Sequence, residues 1–355
     1  MPTSHPASRL VSIVVTLVVS ACLGGLHVAA QQLQQQRQMP PAWPYAQPQL
    51  PPGEIPPQVA APKTPVPNGV PASAPPGAPA PPLLQAKGSS LHFTQQQVND
   101  SYGPADWFPD SHPRMPEIVA HGKPGAARAC ALCHLVDGRG RPENAPLQGL
   151  PEGYIVQQLH DFQQGLRHSA DPRKANTLEM ENIAKAMTDD EIKEAATYFA
   201  GIKVPKYVRV VETEKVPATK VQGEIYFVTD GPEEPIGSRV IETPEDAAET
   251  RMRNPKSGFI AYAPIGSIKR GEALAVNGAN GKTTACAVCH GPDLKGLGPV
   301  PNLAGRSPSY LARQMYDMKL GTRKGAMAAL MMPVVANLTE ADIVDLVAYV
   351  ASREP

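Results

Sequence analysis

Two short stretches of this sequence carry reactive groups in a matched pattern. Cys130-Ala-Leu-Cys133-His134 and Cys286-Ala-Val-Cys289-His290 each place two thiols three positions apart, with an imidazole directly after the second. Cys-x-x-Cys-His is the attachment sequence of c-type haem. Thiols three apart lie on one helical turn, so each can add to one haem vinyl group. The adjacent His then falls beneath the iron and supplies an axial nitrogen. Two covalently bound haem c groups are expected, held by Cys130, Cys133, Cys286 and Cys289, with His134 and His290 on the irons.

Other readings of a Cys-x-x-Cys pair are a redox-active dithiol and half of a zinc site. Both pairs here carry the His, and the fifth cysteine, Cys22, stands alone near the N-terminus, so no second pair completes a zinc site. Five cysteines also cannot form a closed disulfide framework. The stretch ending in Gly281-Lys282-Thr283 is not a phosphate loop, because Val276 stands where that motif needs its first glycine.

A haem iron needs a sixth ligand or an open site. A methionine thioether is a soft ligand that favours ferrous iron and raises the potential. The positions that qualify follow from an internal repeat. An offset of 156 superimposes the two motifs and also maps Tyr154 on Tyr310, Gln158 on Gln314, Asp161 on Asp317 and Arg167 on Arg323. Beyond them the offset becomes 151, and Met180 falls on Met331, Thr188 on Thr339 and Tyr198 on Tyr349. Met180 and Met331 are the methionines that coincide, and they are the expected axial partners of His134 and His290. Met187, Met315, Met318, Met327 and Met332 read as core filler, with Met332 a one-residue alternative to Met331. His160 and His168 have no histidine counterparts in the second repeat and read as surface residues.

The elements that position these groups are helical. Thr188 with Glu191, and Thr339 with Asp342, start the last helix of each repeat. Ile192, Ala195, Ala196 and Phe199 form one apolar stripe, and Ile343, Leu346, Val347 and Val350 form the other. Tyr154 to Gln164 and Tyr310 to Leu320 also read as helices, while Tyr207 to Val211 and Gly223 to Val228 alternate like short strands. The fold class expected is all-α, two tandem haem domains with a strand-permissive insertion between them. The division expected is 1–30 signal peptide or membrane anchor, 31–88 Pro-rich disordered linker, 89–118 irregular extension, 119–202 first domain, 203–265 insertion and 266–355 second domain.

The 355 residues include 41 prolines, concentrated between Met39 and Pro82, where a semi-rigid extended spacer is expected. The 33 basic residues balance 33 acidic ones, so nothing in the overall charge points to nucleic acid, and no nucleic-acid partner is expected. Leu10 to Ala30 is apolar and uncharged after Arg9, the pattern of an export signal. Cleavage after Val28-Ala29-Ala30, lipidation of Cys22, and an uncleaved spanning helix all remain open, and each exports the rest of the chain. A periplasmic location with an N-terminal membrane tether is expected.

The two repeats resemble class I c-type cytochromes, and their pairing is similar to the di-haem cytochrome c4 group. The resemblance rests on the two Cys-x-x-Cys-His motifs, on Pro301-Asn-Leu-Ala-Gly305, on Tyr310 to Gly321, and on Leu178-Glu-Met180 and Met331-Met-Pro333. It implies axial ligation by Met180 and Met331, and a backbone carbonyl for each axial His, from Pro301 in one repeat and Pro146 in the other. It further implies an electron carrier rather than an enzyme, fed by a quinol-oxidising complex or a dehydrogenase and emptied by a terminal oxidase. A cytochrome subunit of a dehydrogenase complex is the alternative. A di-haem peroxidase is a third reading, which a methionine on each iron opposes, since peroxide chemistry needs an open site.

Overall fold

The structure is a computed structural model and describes residues 39–51, 54, 56, 57, 59, 79–203 and 205–355. The expected signal or anchor at 1–30, Cys22 included, lies outside the described residues. No helix among the described residues is long and apolar enough to cross a membrane.

Residues preceding the first motif form two strands, β1 (Leu83–Leu84) and β2 (Phe93–Thr94), and two short helices, α1 (Gln95–Val98) and α2 (Glu117–Ala120). Trp107 is fully buried among Ala86, Val98 and Phe108, giving this segment a small core of its own. The first repeat then supplies α3 (Cys130–His134), α4 (Glu152–Gln163), α5 (Ala175–Ala186) and α6 (Asp189–Ala200). Helix α6 starts in a reciprocal cap: Glu191 N–H donates to Thr188 Oγ1, and Thr188 N–H donates to Glu191 Oε2 at 2.7 Å. Its stripe of Ile192, Ala195, Ala196 and Phe199 is buried against Ile155, Leu159 and Phe162 of α4.

After the short helix α7 (Ala247–Arg251), the second repeat supplies α8 (Ser267–Gly281), α9 (Ala287–His290), α10 (Pro308–Lys319), α11 (Ala328–Ala336) and α12 (Glu340–Ser352). Helix α12 carries the same cap between Thr339 and Asp342. Ile343, Leu346, Val347 and Val350 are buried, and each contributes on the order of 1.5–3 kcal/mol relative to exposure. Helices α8 and α12 cross so closely that a Cβ on Gly271 would lie 2.0 Å from the Asp345 carbonyl oxygen.

The all-α expectation holds for the haem-motif repeats and needs correction for the chain as a whole. Between the repeats, β3 (Val208–Glu212) pairs in parallel with β9 (Phe259–Ala263), which pairs antiparallel with β8 (Ile241–Pro244). Phe259, Ala261 and Ala263 share one face by the period-two rule, and that face is buried in the same core as α12. The strands therefore complete the second domain. The rest of the insertion holds β4 (Lys215–Val216), β5 (Thr219–Gln222), β6 (Ile225–Val228) and β7 (Glu234–Pro235). Strands β5 and β6 form a hairpin closed by Gly223 and Glu224, both at positive φ, the requirement of a tight two-residue turn.

Within the expected linker 31–88, the described residues around Trp43 pack on the folded chain. Trp43, Pro44 and Tyr45 form a buried 3-10 turn. Arg313 donates to the Pro44 carbonyl at 2.6 Å, Tyr226 to the Trp43 carbonyl at 3.3 Å, and Arg173 to the Pro48 carbonyl at 2.7 Å. Proline lacks an amide donor but keeps its carbonyl, and Arg313, Arg173 and Tyr226 hold this segment through its carbonyls.

Candidate haem sites

Helix α3 carries Cys130, Cys133 and His134 to the head of a cleft bounded by α4, α5 and α6. Its apolar walls include Leu150, Ile155, Leu159, Ile183 and Phe199, and Met180 lies on the α5 side. The cleft encloses about 1150 Å³ counted to its open mouth, and its lining includes Tyr310, Arg313, Gln314 and Asp317 of the second domain.

His134 is buried, and its Nδ1 lies 2.8 Å from the Ala145 carbonyl. His290 is buried in the same way, 2.8 Å from the Pro301 carbonyl. A carbonyl only accepts, so Nδ1 carries the proton in both rings and Nε2 keeps its lone pair. Burial pushes both imidazoles below the usual histidine range. Neutral imidazole is the form that ligates a metal, and an Nδ1–H bond to the backbone fixes ring orientation and tautomer. The expectation for Pro301 agrees with this geometry. Pro146 is corrected to Ala145: each accepting carbonyl lies eleven residues after its His, and the Pro146 carbonyl instead accepts from Arg306 at 2.8 Å.

Burial raises the Cys130 thiol to about 12 and the Cys286 thiol to about 11. Redox-active dithiols have lowered pKa values, and Cys130 and Cys286 are shifted the other way by burial.

The methionines occupy comparable places. Met180 is part-buried on α5, packed against the first core. Met331 is part-buried on α11, packed against the second core, whereas its neighbour Met332 is exposed. Met187, by contrast, is buried in the first core, as its filler reading requires. His168, expected at the surface, is half-exposed, and its Nδ1–H donates to Glu181 Oε1 at 2.8 Å.

Between the domains lies a polar seam built from repeated residues. Arg167 Nη1 donates to Gln158 Oε1 at 3.1 Å, and its Nη2 reaches Gln314 Oε1 at 2.9 Å. Arg323 Nη1 donates to Gln314 Oε1 at 3.0 Å, and its Nη2 reaches Gln158 Oε1 at 2.8 Å and Tyr154 OH at 2.9 Å. Both arginines are buried, and Arg323 Nε has no hydrogen-bond partner. These residues stand in register in the sequence, and that repetition was the signal for them. Nothing local marked them as interdomain.

The site residues fit haem. Each repeat offers two thiols, one neutral Nε2 and a thioether, and the first repeat's cleft adds apolar walls and the buried guanidinium groups of Arg167 and Arg313, which would suit an anionic edge group. When bound, haem supplies a one-electron iron centre. The chain's residues hold it, exclude water from it and set its potential.

Fold and sites together define a c-type cytochrome with two haem domains in one chain. Residues 119–203 and 269–354 match the cytochrome c family. Cytochrome c-554(548) of Halomonas halodenitrificans is 45% identical over 74 residues, covering 21% of this chain and 89% of that one. Cytochrome c4 of Pseudomonas aeruginosa is 25% identical over 228 residues, covering 63% of this chain and 83% of that one. A protein of Thiomonas intermedia named thiosulfate dehydrogenase electron acceptor is 26% identical over 235 residues, covering 65% and 81%. The chain belongs to the cytochrome c family. It is a cytochrome c4-like di-haem protein that carries two covalent haem c groups and transfers electrons to and from redox protein partners.

Proposed function

We propose that Cys130, Cys133, His134 and Met180 hold one haem, and Cys286, Cys289, His290 and Met331 the other. The chain then relays single electrons in a respiratory chain, from a quinol-oxidising complex or a dehydrogenase to a terminal oxidase. One observation carries this reading: in both domains the axial candidate is a buried imidazole whose Nδ1 is engaged by a backbone carbonyl at 2.8 Å, which leaves Nε2 as the ligating atom. Met180 and Met331, as the second ligands, would close the irons to peroxide, which suits a carrier. Spectroelectrochemical titration of the holoprotein tests this. Two one-electron transitions with low-spin spectra are expected; rapid turnover of hydrogen peroxide would refute it.

A second reading is supported by the thiosulfate dehydrogenase electron acceptor among the relatives. Here the chain accepts electrons directly from a dehydrogenase as its cytochrome partner. Stopped-flow mixing with a thiosulfate dehydrogenase and thiosulfate distinguishes the two, because only this reading expects reduction within a few turnovers.

The apolar run Leu10 to Ala30 supports export to the periplasm with a tether at residues 1–30, and the division into 119–202, 203–265 and 266–355 follows the repeat. Fractionation of cells tests the tether. Retention with membranes is expected, Cys22→Ser separates a lipid from a helix, and full release without detergent would overturn it.

A further inference from the structure

The two attachment motifs are repeats, so equivalent positions can be compared within one chain. Leu132 and Val288 are the same position, the residue before the second thiol. Leu132 is 4% exposed and Val288 is 67% exposed.

Among the described residues, two segments outside the repeats bond to the first motif or to the turn that covers it. Arg253, at the end of α7 in the insertion, donates from Nη1 to the Leu132 carbonyl at 2.7 Å and from Nε to Asn99 Oδ1 at 3.0 Å. Its backbone sits at φ 56°, a conformation unfavourable for a side-chain-bearing residue. Trp107 Nε1 donates to the Met252 carbonyl at 2.7 Å, which fixes the same turn. Ala129 N–H donates to the Ser101 carbonyl at 2.9 Å. The extension and the insertion thus close over the first motif from two sides.

The second motif has the opposite surroundings. Val288, Leu297, Leu330 and Met332 are exposed. Thr283 Oγ1 donates to the Val334 carbonyl at 2.6 Å, joining the loop before the motif to α11. Gly296 N–H donates to the His290 carbonyl at 2.8 Å, holding Lys295 and Leu297 beside it. Charge follows the same asymmetry. Residues 282–337 contain seven basic and two acidic residues against seven of each in the equivalent residues 126–186; Arg306, Arg313 and Arg323 are buried, so the lysines carry the surface charge of the stretch. Lys295 and Lys324 are exposed, and Lys282 is exposed beside Asp342. Asp317 is buried, so Asp293 is the exposed acid of that stretch.

We propose that protein partners exchange electrons with this chain at the second domain's attachment edge and not at the first's, and that the partner presents an apolar face rimmed by carboxylates. The proposal rests on the haem reading of the two motifs. An apolar centre with a charged rim lets complementary charge steer encounter while the centre makes close contact. The first haem then communicates with partners through the second, across the seam of Arg167 and Arg323.

The test uses the holoprotein on a gold electrode coated with a mixed methyl- and carboxylate-terminated monolayer, which stands in for the partner face. Haem content and both midpoint potentials are measured first. Lys295→Glu with Leu297→Glu should slow electron exchange by roughly tenfold or more, with both potentials unchanged. Lys295→Glu alone should slow it less, and added salt should slow the unmodified protein. Ala126→Glu, on the exposed turn before the first motif, should leave the rate within about twofold, since charge at a face that makes no contact adds little steering. Equal slowing by Ala126→Glu, or no slowing by the double variant with potentials intact, would overturn the proposal. A chain lacking two haems overturns the underlying haem reading, and this proposal with it.

Discussion

Arg167 and Arg323 stand opposite one another across the domain seam. Their backbones pair as an isolated antiparallel bridge, and each guanidinium reaches the glutamine of the other repeat, at 2.9 Å for Arg167 to Gln314 and 2.8 Å for Arg323 to Gln158. The pseudo-symmetric exchange is flanked by backbone bonds from His168 N–H to the Thr322 carbonyl and from Lys324 N–H to the Leu166 carbonyl, at 2.9 and 2.8 Å. Removing Arg323 takes one of two donors from each buried glutamine oxygen and the arginine partner from the Tyr154 hydroxyl. Arg323→Ala is therefore expected to destabilise the chain by about 2–4 kcal/mol. Denaturant unfolding followed by haem absorbance and by tryptophan fluorescence checks this, and a loss below about 0.5 kcal/mol would show the seam to be dispensable.

The attachment motifs predict stoichiometry. A pyridine haemochrome assay should give two c-type haems per chain, and Cys286→Ala with Cys289→Ala should give one. A haem extractable by acid acetone would mean that the thiols are not used.

The axial methionines predict spectra and potentials. Met180→Ala and Met331→Ala should each lower one potential, because the axial ligand is a main control on it, and should each open one iron to carbon monoxide. Met332→Ala should do neither, since that side chain is exposed beside the part-buried Met331. If Met332→Ala disturbs one haem while Met331→Ala leaves both intact, the assignment shifts by one residue.

Asp317 predicts a pH dependence. Burial raises its carboxyl to about 6, against lowering by the Ala170 N–H and by Arg167, Arg313 and Arg323. The folded state therefore binds its proton more tightly than the unfolded chain, whose aspartates titrate near 4. The contribution is fully present below about pH 4 and is lost as pH rises through about 6. Asp317→Asn should flatten the thermal midpoint over that window, while the unmodified protein shows a decline superimposed on its other titrations. Identical slopes in the two proteins would show that Asp317 titrates normally.

The corrections have a common origin. Proline content alone made Met39 to Pro82 look like a free spacer, yet Tyr45 OH donates to Asp317 Oδ1 at 3.2 Å across 272 positions of sequence. Pro146 looked like the accepting carbonyl because Pro301 is one, but the loop geometry places Ala145 there. The strands at Val208–Glu212 and Ile225–Val228 were legible as alternation. Their role was not, because the burial of β9 against α12 depends on a partner about 80 residues downstream.

What the sequence determined by itself is what depends on short spacing. Thiols and imidazole within five residues, capping pairs three apart and helical stripes are set by covalent geometry and by one or two helical turns, and the repeat made them visible twice. Tertiary structure alone decided that one attachment edge is closed by Arg253 and the other left open, and that Arg167 meets Arg323. Those outcomes depend on contacts between residues over a hundred positions apart. Such contacts form where the summed burial of whole elements brings their surfaces together, and no local pattern encodes which surfaces those are.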